Sequence, residues 1–199
     1  MKTAILLLAA GSATRMGTAK QLLPWRGTTL VRHAADTALR VPDAEVFVVV
    51  GAHKGKVIGE LKALSVNVVH NSGYEEGLGS SIAAGVREIL APARRRPSRL
   101  LIMLADQPSV TATFLAGLLR RSEREASIVA AAYSGRAGVP AVFPAHYFDV
   151  LQNLGGDAGA GQLLNGGEAP VTLIQPDVDL FDIDTPEDYQ RYEGNQERH

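Results

Sequence analysis

The sequence predicts a three-layer α/β protein with a mostly parallel central sheet, and three observations support that fold class. The chain has 199 residues, of which 46% are hydrophobic, and a formal net charge of −1. Such a chain can bury enough apolar surface to offset chain entropy, so we expect one domain over residues 1–199. Short apolar runs alternate with segments of helical period, the pattern of successive βα units. A loop of small residues directly follows the first apolar run, where open α/β sheets bind ligands.

The predicted elements follow in order along the chain. Strands are predicted at short Leu-rich or β-branched runs, and helices where apolar residues recur at helical spacing. The predicted strands cover residues 3–8, 45–50, 66–70, 99–105, 127–133, 139–143, 171–174 and 180–182. The predicted helices cover residues 30–39, 54–64, 80–90, 111–123, 147–154, 158–164 and 187–192. Thr29, Thr111 and Thr185 are predicted N-caps, with Pro186 at the first helical position after Thr185.

Composition excludes several classes of protein and site. The absence of cysteine excludes a disulfide scaffold, thiolate metal sites and cysteine nucleophiles. The five histidines show no metal-ligand spacing, so metal binding is left to aspartate and glutamate. The charge balance argues against nonspecific nucleic-acid binding, which needs a broad basic surface. No apolar run approaches the roughly 20 residues of a membrane helix, so we expect a soluble, cytoplasmic protein.

The near-zero net charge hides an asymmetry between the two ends of the chain. Residues 1–35 contain five basic residues and no acidic one, whereas residues 175–199 contain eight acidic and two basic residues. Both stretches carry strand-like apolar runs, unlike charged tails, so we interpret them as two sides of one site. Elsewhere, residues 92–98 include Arg94, Arg95 and Arg96, which could contact phosphate but are better explained as a solvated loop.

A glycine-bearing loop follows the first predicted strand. Its sequence is Leu8-Ala9-Ala10-Gly11-Ser12-Ala13-Thr14-Arg15-Met16-Gly17-Thr18-Ala19-Lys20. Exposed backbone N–H groups, together with the charges of Arg15 and Lys20, suit a triphosphate. The spacing matches neither a Walker A loop nor G-x-G-x-x-G. On chemistry alone, a surface turn with two solvated cations explains the segment about as well.

Two acidic segments place carboxylates where a ligand could bind. One apolar run ends in Asp106-Gln107-Pro108, which places a carboxylate at the carboxyl edge of the sheet, although Asp106 could instead cap the next turn. Near the C-terminus, strand alternation puts Asp182 and Asp184 on one face, where Mg²⁺ would relieve their repulsion. The alternative there is an edge strand with solvated acids, followed by a capped helix.

Residues 71–81 run from a strand end through a glycine-bearing loop into a helix. Ser80 and Ser81 lie where helix N–H groups are unpaired. Such a position binds an anion or a base edge, or is satisfied by the serine side chains themselves. Both interpretations stay open on the residues alone.

Together these segments resemble the MobA-like nucleotidyltransferases, and within them the molybdenum cofactor cytidylyltransferase branch. The loop is similar to their L-A-A-G-x-S-x-R-M-G-x-x-K-x-L-L-P signature, with Ala13 where the family often has serine. Asp106-Gln107-Pro108 resembles their D-Q-P motif, and residues 182–189 resemble D-I-D-T-P-E-D-Y. The resemblance spans essentially the whole chain and implies a Rossmann-like nucleotidyltransferase fold.

The resemblance also implies roles for individual residues. Arg15, Lys20 and Asp106 would be catalytic. Asp106 and Asp184 would hold Mg²⁺, with Asp182 as a further candidate. The residues implied for the nucleotide are Leu8, Ala9, Ala10, Gly11, Arg15, Gly17, Lys20, Asn71, Gly79, Ser80 and Ser81. Those implied for the acceptor are Gly138, Pro140 and Asp157.

Two departures from the cytidylyltransferase pattern concern the acceptor. Val139 replaces the usual histidine and Gly161 the usual arginine, which removes a cation beside an anionic pterin phosphate. Asp157 would serve equally well as the N-cap of the helix predicted from Ala158. These departures leave the nucleotide residues intact.

We therefore hypothesise that the protein transfers CMP from CTP to the phosphate of molybdopterin, with release of pyrophosphate and with Mg²⁺ as cofactor. The expected partners are CTP or another NTP, a molybdopterin-type acceptor and a molybdenum hydroxylase client, without nucleic acid or membrane. Two alternatives stay open. The enzyme could use another NTP or phosphorylated acceptor, such as GTP or a sugar phosphate, or the chain could be a non-catalytic maturation factor for molybdenum cofactor.

Overall fold

The computed structural model of the protein describes residues 2–12, 19–133, 135–157 and 159–193. The strands in these ranges are β1 (Thr3–Ala9), β2 (Pro24–Trp25), β3 (Thr28–Thr29), β4 (Ala44–Val50), β5 (Asn67–His70), β6 (Arg99–Leu104), β7 (Ile128–Tyr133), β8 (Arg136–Pro144) and β9 (Val171–Ile174). The helices are α1 (Leu30–Leu39), α2 (Lys54–Leu61), α3 (Leu78–Ile89), α4 (Ala112–Ser122), α5 (Phe148–Leu151), α6 (Gly161–Asn165) and α7 (Pro186–Glu193). The predicted site residues Arg15 and Gly17, together with Ala13, lie outside the described residues.

The central sheet has its ligand-binding edge at the carboxyl ends of β1 and β6. Its strand order is β5-β4-β1-β6-β8-β7-β9. Strand β1 pairs in parallel with β4 and β6, whereas β8 runs antiparallel to its neighbours β6 and β7. The chain builds outward from β1 through β4 to β5 and then returns to the other side of β1 at β6. Such a reversal leaves a crevice between two parallel strands, where open α/β sheets bind ligands.

Helices cover both faces of this sheet, which confirms the predicted three-layer fold. On β1, Ile5 and Leu7 pack in one core with residues of α1, α2 and α4. The alternating residues Leu6 and Leu8 pack in a second core with residues of α3, α5 and α6. Because both faces of β1 are buried, the strand is a continuous apolar run in the sequence.

The structure corrects several predicted elements. The strand predicted at residues 180–182 does not form, because its neighbour Ile183 donates its backbone N–H to the Asp106 carbonyl at 3.0 Å, outside any strand ladder. The helices predicted at 147–154 and 158–164 are shorter, at Phe148–Leu151 and Gly161–Asn165. The β2–β3 pair was not predicted.

The predicted N-caps are confirmed. Thr29 and Thr111 accept hydrogen bonds from the backbone N–H groups of Arg32 and Phe114. Thr185 and Asp188 accept reciprocally from each other's backbone N–H groups, at 3.2 and 3.0 Å, which is a capping box. These caps fix where α1, α4 and α7 begin.

A small core joins the segment after Lys20 to the C-terminal segment. Trp25, Leu30 and Ile183 are buried together. Phe181 stacks on Tyr192 with ring centroids 3.4 Å apart. This core holds the acidic end of the chain against the basic end, which is how residues remote in sequence reach one edge of the sheet.

The loop at residues 92–98 is anchored at the opposite end of the sheet. The Arg94 guanidinium donates to Glu45 and Glu88 carboxylates at 3.0 Å and lies over the Phe47 ring, 4.9 Å from its centroid. The expectation of a solvated loop is therefore wrong for Arg94. No helix among the described residues combines the length and apolarity that a bilayer span requires.

Candidate functional site

A cavity of about 410 Å³ opens at the crevice between β1 and β6, a volume typical of small-molecule sites. The ends of β1 and β6 form its floor, and the loop before α3 and the C-terminal segment form its walls. Its lining residues are Leu8, Ala9, Ala10, Gly11, Ser12, Lys20, Gln21, Tyr74, Glu75, Gly77, Leu78, Ser81, Leu104, Ala105, Asp106, Asp157 and Asp184. Residues from the glycine-bearing loop, from residues 71–81 and from both acidic segments therefore meet in one cavity, together with Asp157.

The predicted nucleotide residues divide into a lining group and a supporting group. Six of them line the cavity: Leu8, Ala9, Ala10, Gly11, Lys20 and Ser81. The buried Asn71 amide donates to the hydroxyls of Ser80 and Ser81 at 2.9 and 3.0 Å, so it fixes the start of α3 from behind. The Ser80 hydroxyl lies 2.8 Å from the carbonyl oxygens of Gly73 and Gly77. The assignment of these residues to a nucleotide stays a prediction.

Self-capping does not explain the serines at the start of α3. The N-cap of α3 is Gly77, which has no side chain to accept a hydrogen bond. The Ser80 hydroxyl contacts two carbonyl oxygens and the Asn71 amide, and none of these partners is a first-turn N–H group. The first turn of α3 therefore meets the cavity without a side-chain cap of its own.

Lys20 joins the two carboxylates predicted to hold a metal. Its ammonium nitrogen lies 2.5 Å from Asp106 Oδ2 and 2.8 Å from Asp184 Oδ1. Burial alone would lower the pKa of Lys20, but the neighbouring carboxylates outweigh burial and raise that pKa above its ordinary value of 10.5. Lys20 therefore stays a cation at neutral pH. The two carboxylates lie close enough together for one positive charge to bridge them.

The free oxygen of Asp106 indicates how a divalent cation would fit. Asp106 Oδ1 is buried and has no hydrogen-bond partner among the described residues. Asp106 Oδ2 pairs with Lys20 and Oδ1 has no partner among the described residues, so the alternative in which Asp106 caps the next turn is wrong. No cluster of three or more acidic or histidine side chains arranged for a metal occurs in the described ranges. Two carboxylates completed by phosphate oxygens and water form a set that Mg²⁺ commonly uses, and Asp106 and Asp184 fit it.

Two buried glutamines at this edge were not predicted from the sequence. Gln21, 5% exposed, donates its amide N–H groups to the carbonyls of Ala9 and Gly11 at 3.0 and 2.6 Å. These bonds fix the backbone where the glycine-bearing loop leaves β1. Gln107 lies directly after Asp106 and is 3% exposed. In the sequence, each glutamine is marked only by its position directly after a charged motif residue. A buried amide produces no periodicity or spacing from which its role could be predicted.

The predicted acceptor residues are only partly brought together. Asp157 lines the cavity, whereas Gly138 and Pro140 lie on β8 and do not. Helix α6 begins at Gly161 with Ala160 as N-cap, so the interpretation of Asp157 as an N-cap is wrong. A Cβ at Gly161 would meet nothing within 4 Å, so the backbone leaves space for a side chain. The position lacks a cation because its residue is glycine and not because an arginine would be obstructed at its Cβ.

The chain is similar to several known proteins. The family model described as MobA-like NTP transferase domain matches residues 5–171. The chain is 36% identical to the nicotine blue oxidoreductase of Paenarthrobacter nicotinovorans, covering 94% of this chain and 91% of that protein. It is 30% identical to the purine catabolism protein PucB of Bacillus subtilis, covering 92% and 91%. It is 24% identical to the molybdenum cofactor cytidylyltransferase of Escherichia coli, covering 92% of each chain.

Solved structures show the same fold. The crystal structure of Rv0371c from Mycobacterium tuberculosis superposes with a TM-score of 0.82 at 30% identity, covering 96% of this chain and 97% of that one. A second structure of that protein, described as a complex with manganese, superposes with a TM-score of 0.79 at 27% identity and the same coverage. The likeness therefore extends over nearly the full length of both chains.

Proposed function

Because the chain belongs to the MobA-like NTP transferase family, we propose that it is a nucleotidyltransferase that moves CMP from CTP to the phosphate of a molybdopterin-type acceptor. The observation that carries the proposal is the meeting of Lys20, Asp106 and Asp184 in the cavity at the switch point of the sheet. A cation and two carboxylates at that place suit a triphosphate with its metal.

The proposed reaction needs alignment and charge neutralisation, and it needs no covalent nucleophile. An oxygen of the acceptor phosphate attacks the α-phosphorus of the NTP in line. The bond from the α-phosphorus to the oxygen bridging it to the β-phosphate breaks, and pyrophosphate leaves with the electron pair. Lys20, with Arg15, would neutralise the departing phosphates, and Asp106 and Asp184 would hold Mg²⁺. The metal would supply Lewis-acid stabilisation of the phosphate charge.

The choice of metal, donor and acceptor is supported by relatives and by the motif resemblance. A structural relative has been solved with manganese. One relative is named as a cytidylyltransferase of molybdenum cofactor. Asp157 borders the cavity on the predicted acceptor side, where its carboxylate could accept hydrogen bonds from N–H groups of a pterin. A molybdenum hydroxylase would be the client of the product.

A donor and acceptor panel tests the proposal. Pyrophosphate release is measured with CTP, GTP, ATP or UTP and Mg²⁺, with purified molybdopterin or a sugar 1-phosphate as acceptor. We expect CTP with molybdopterin to give the fastest turnover and a cytidylated pterin by mass spectrometry. Turnover with a sugar 1-phosphate alone would make the acceptor wrong, and faster turnover with another NTP would make the donor wrong.

A second candidate activity comes from the relative that is 36% identical and is named an oxidoreductase. The same protein is therefore incubated with NADH or NADPH and a two-electron dye acceptor. Nucleotidyl transfer predicts no oxidation of the dinucleotide above the rate without protein. Dinucleotide oxidation without pyrophosphate release from any NTP would favour the oxidoreductase.

A further inference from the structure

The Gln107 side chain connects three segments below the cavity. Its amide nitrogen lies 2.8 Å from Asp182 Oδ1, 3.0 Å from the Tyr133 hydroxyl and 3.1 Å from the Val139 carbonyl oxygen. Tyr133 and Val139 belong to β7 and β8, whereas Asp182 belongs to the C-terminal segment. Because Gln107 is buried, loss of these partners would leave its amide unsatisfied, which is costly.

The C-terminal segment depends on such bonds for its position. Residues 180–184 form no strand, so no ladder fixes them against the sheet. Three hydrogen bonds join this segment to the loop after β6: Phe181 N–H to the Ser109 hydroxyl at 3.4 Å, Ile183 N–H to the Asp106 carbonyl at 3.0 Å, and Gln107 to Asp182 at 2.8 Å. Asp184 follows two residues after Asp182 and is about half exposed, with a side-chain exposure of 53%. The position of the Asp184 carboxylate therefore depends on the bonds of the adjacent residues and not on burial of its own side chain.

Tyr133 is an uncharged acceptor for the Gln107 amide. The Tyr133 hydroxyl donates to the Val139 carbonyl at 2.6 Å and therefore presents its oxygen to Gln107 as an acceptor. Burial, together with the negative charge of Asp182, raises the pKa of Tyr133, so the hydroxyl keeps its proton and its donor role. All three partners of the Gln107 amide are therefore hydrogen-bond acceptors. Among them, only the Asp182 carboxylate is charged, so it forms the strongest of the three bonds.

We propose that Gln107 is a positioning residue for the divalent cation, because its amide holds Asp182 and thereby keeps the Asp184 carboxylate beside Asp106. Asp182 then serves as the anchor of this segment and not as a metal ligand. The inference rests on the proposed function, because the cation belongs to that function. Partners that orient metal ligands in this way typically change metal affinity by about 10- to 100-fold when they are removed.

The test measures Mn²⁺ bound in the presence of CTP, by the electron paramagnetic resonance signal of free Mn²⁺. Gln107→Met keeps the length of the side chain and removes its donors. We expect it to weaken Mn²⁺ binding by about 10-fold or more. Tyr133→Phe is the matched control, because it removes a polar group from the same network and keeps the Gln107–Asp182 bond. It should change Mn²⁺ affinity by less than about 3-fold.

Replacement of the buried Gln107 could also affect folding, so variants of the exposed Asp182 provide a second test. Asp182→Ala should weaken Mn²⁺ binding like Gln107→Met, whereas Asp182→Asn should restore it, because the Asn carbonyl oxygen still accepts from Gln107. CTP affinity in EDTA should stay unchanged in all four variants. Wild-type Mn²⁺ affinity in Gln107→Met and Asp182→Ala, or failure of Asp182→Asn to restore it, would overturn the inference. If the wild-type protein binds no Mn²⁺ with any NTP, the metal part of the proposed function fails as well.

Discussion

Lys20 lies between Asp106 and Asp184, at the place where a divalent cation would take the same two carboxylates. An ammonium group and a metal ion cannot both neutralise that pair at full strength. If a metal replaces the Lys20 ammonium between the carboxylates, we expect the ammonium to turn toward the phosphate oxygens of a bound NTP. We therefore propose that Lys20 neutralises the carboxylate pair when no nucleotide is bound and phosphate charge when an NTP is bound.

Replacement of Lys20 therefore has two opposite effects. In Lys20→Met, Mn²⁺ affinity without nucleotide should rise by about 10-fold or more, because the competing cation is gone. Turnover with an NTP should fall by at least about 100-fold, because charge on the phosphates is no longer neutralised. Mn²⁺ titration and pyrophosphate release measure the two effects. The exposed Lys62→Met is a charge-matched control, and unchanged Mn²⁺ affinity in Lys20→Met would contradict the competition.

The charged residues of the site could be predicted from the sequence, and the amides that support them could not. Lys20, Asp106 and Asp184 each stand in a motif whose chemistry is visible along the chain. Gln21 and Gln107 act through carbonyls and carboxylates that the fold brings to them, up to 75 residues away in sequence for the Gln107–Asp182 bond. Their partners depend on tertiary contacts that no local pattern shows.

At the scale of elements, the start of α3 packs tightly against the loop that carries Asp157. The Gly79 backbone N–H donates to the Gly156 carbonyl at 2.8 Å, and a Cβ at Gly79 would lie 2.5 Å from the Gly155 carbonyl oxygen. Only glycine allows this approach. The contact joins the wall predicted for the nucleotide to the wall predicted for the acceptor.

Gly79→Ala should therefore lower the free energy of unfolding by about 1 to 3 kcal/mol, because a backbone must shift to admit the new methyl group. It should also weaken NTP binding, since the start of α3 lines the cavity. Thermal unfolding and NTP titration measure both. Gly55→Ala is the matched control: Gly55 is likewise the second residue of its helix, but a Cβ there meets nothing within 4 Å. It should be neutral or stabilising by up to about 1 kcal/mol.

Most elements could be predicted because they bury a regular apolar face. The strand predicted at 180–182 was wrong for a physical reason. Alternation of the apolar Phe181 and Ile183 with Asp182 and Asp184 is typical of a half-buried strand. In the fold, however, the Ile183 N–H and the Asp182 carboxylate bind the loop after β6, and the Asp184 carboxylate binds Lys20. Tertiary hydrogen bonds replaced the ladder that the pattern favoured.

Across the whole molecule, one end of the sheet forms the candidate site and the other end carries a cluster of ion pairs. The carboxyl end holds the cavity, and the amino end holds the Arg94 cluster with Glu45 and Glu88. The predicted asymmetry of charge along the chain becomes a contact in space, since Lys20 and Asp184 are 164 residues apart in sequence and 2.8 Å apart in the fold. The acidic and basic ends of the chain therefore contribute to one site, as the sequence predicts.

Arg94→Met should lower the stability of the protein and leave its kcat nearly unchanged. Loss of its bonds to Glu45 and Glu88 should lower the free energy of unfolding by about 1 to 3 kcal/mol, because two partly buried carboxylates lose a charged donor. The melting temperature should fall by about 2 to 4 °C per kcal/mol. The kcat for pyrophosphate release should stay within about 2-fold of wild type, because the cluster is remote from the cavity. A large fall in kcat at a temperature where the variant is folded would contradict this division.

Asp106→Asn examines whether Asp106 takes part in nucleotidyl transfer, and the quantity to measure is kcat for pyrophosphate release from CTP and molybdopterin. The substitution keeps the size of the side chain and removes the negative charge that would hold the metal. We expect kcat to fall by at least about 100-fold, with thermal unfolding close to that of the wild type. Wild-type turnover in Asp106→Asn, or full maturation of a molybdenum enzyme by that variant without any pyrophosphate release, would mean that Asp106 has no part in nucleotidyl transfer.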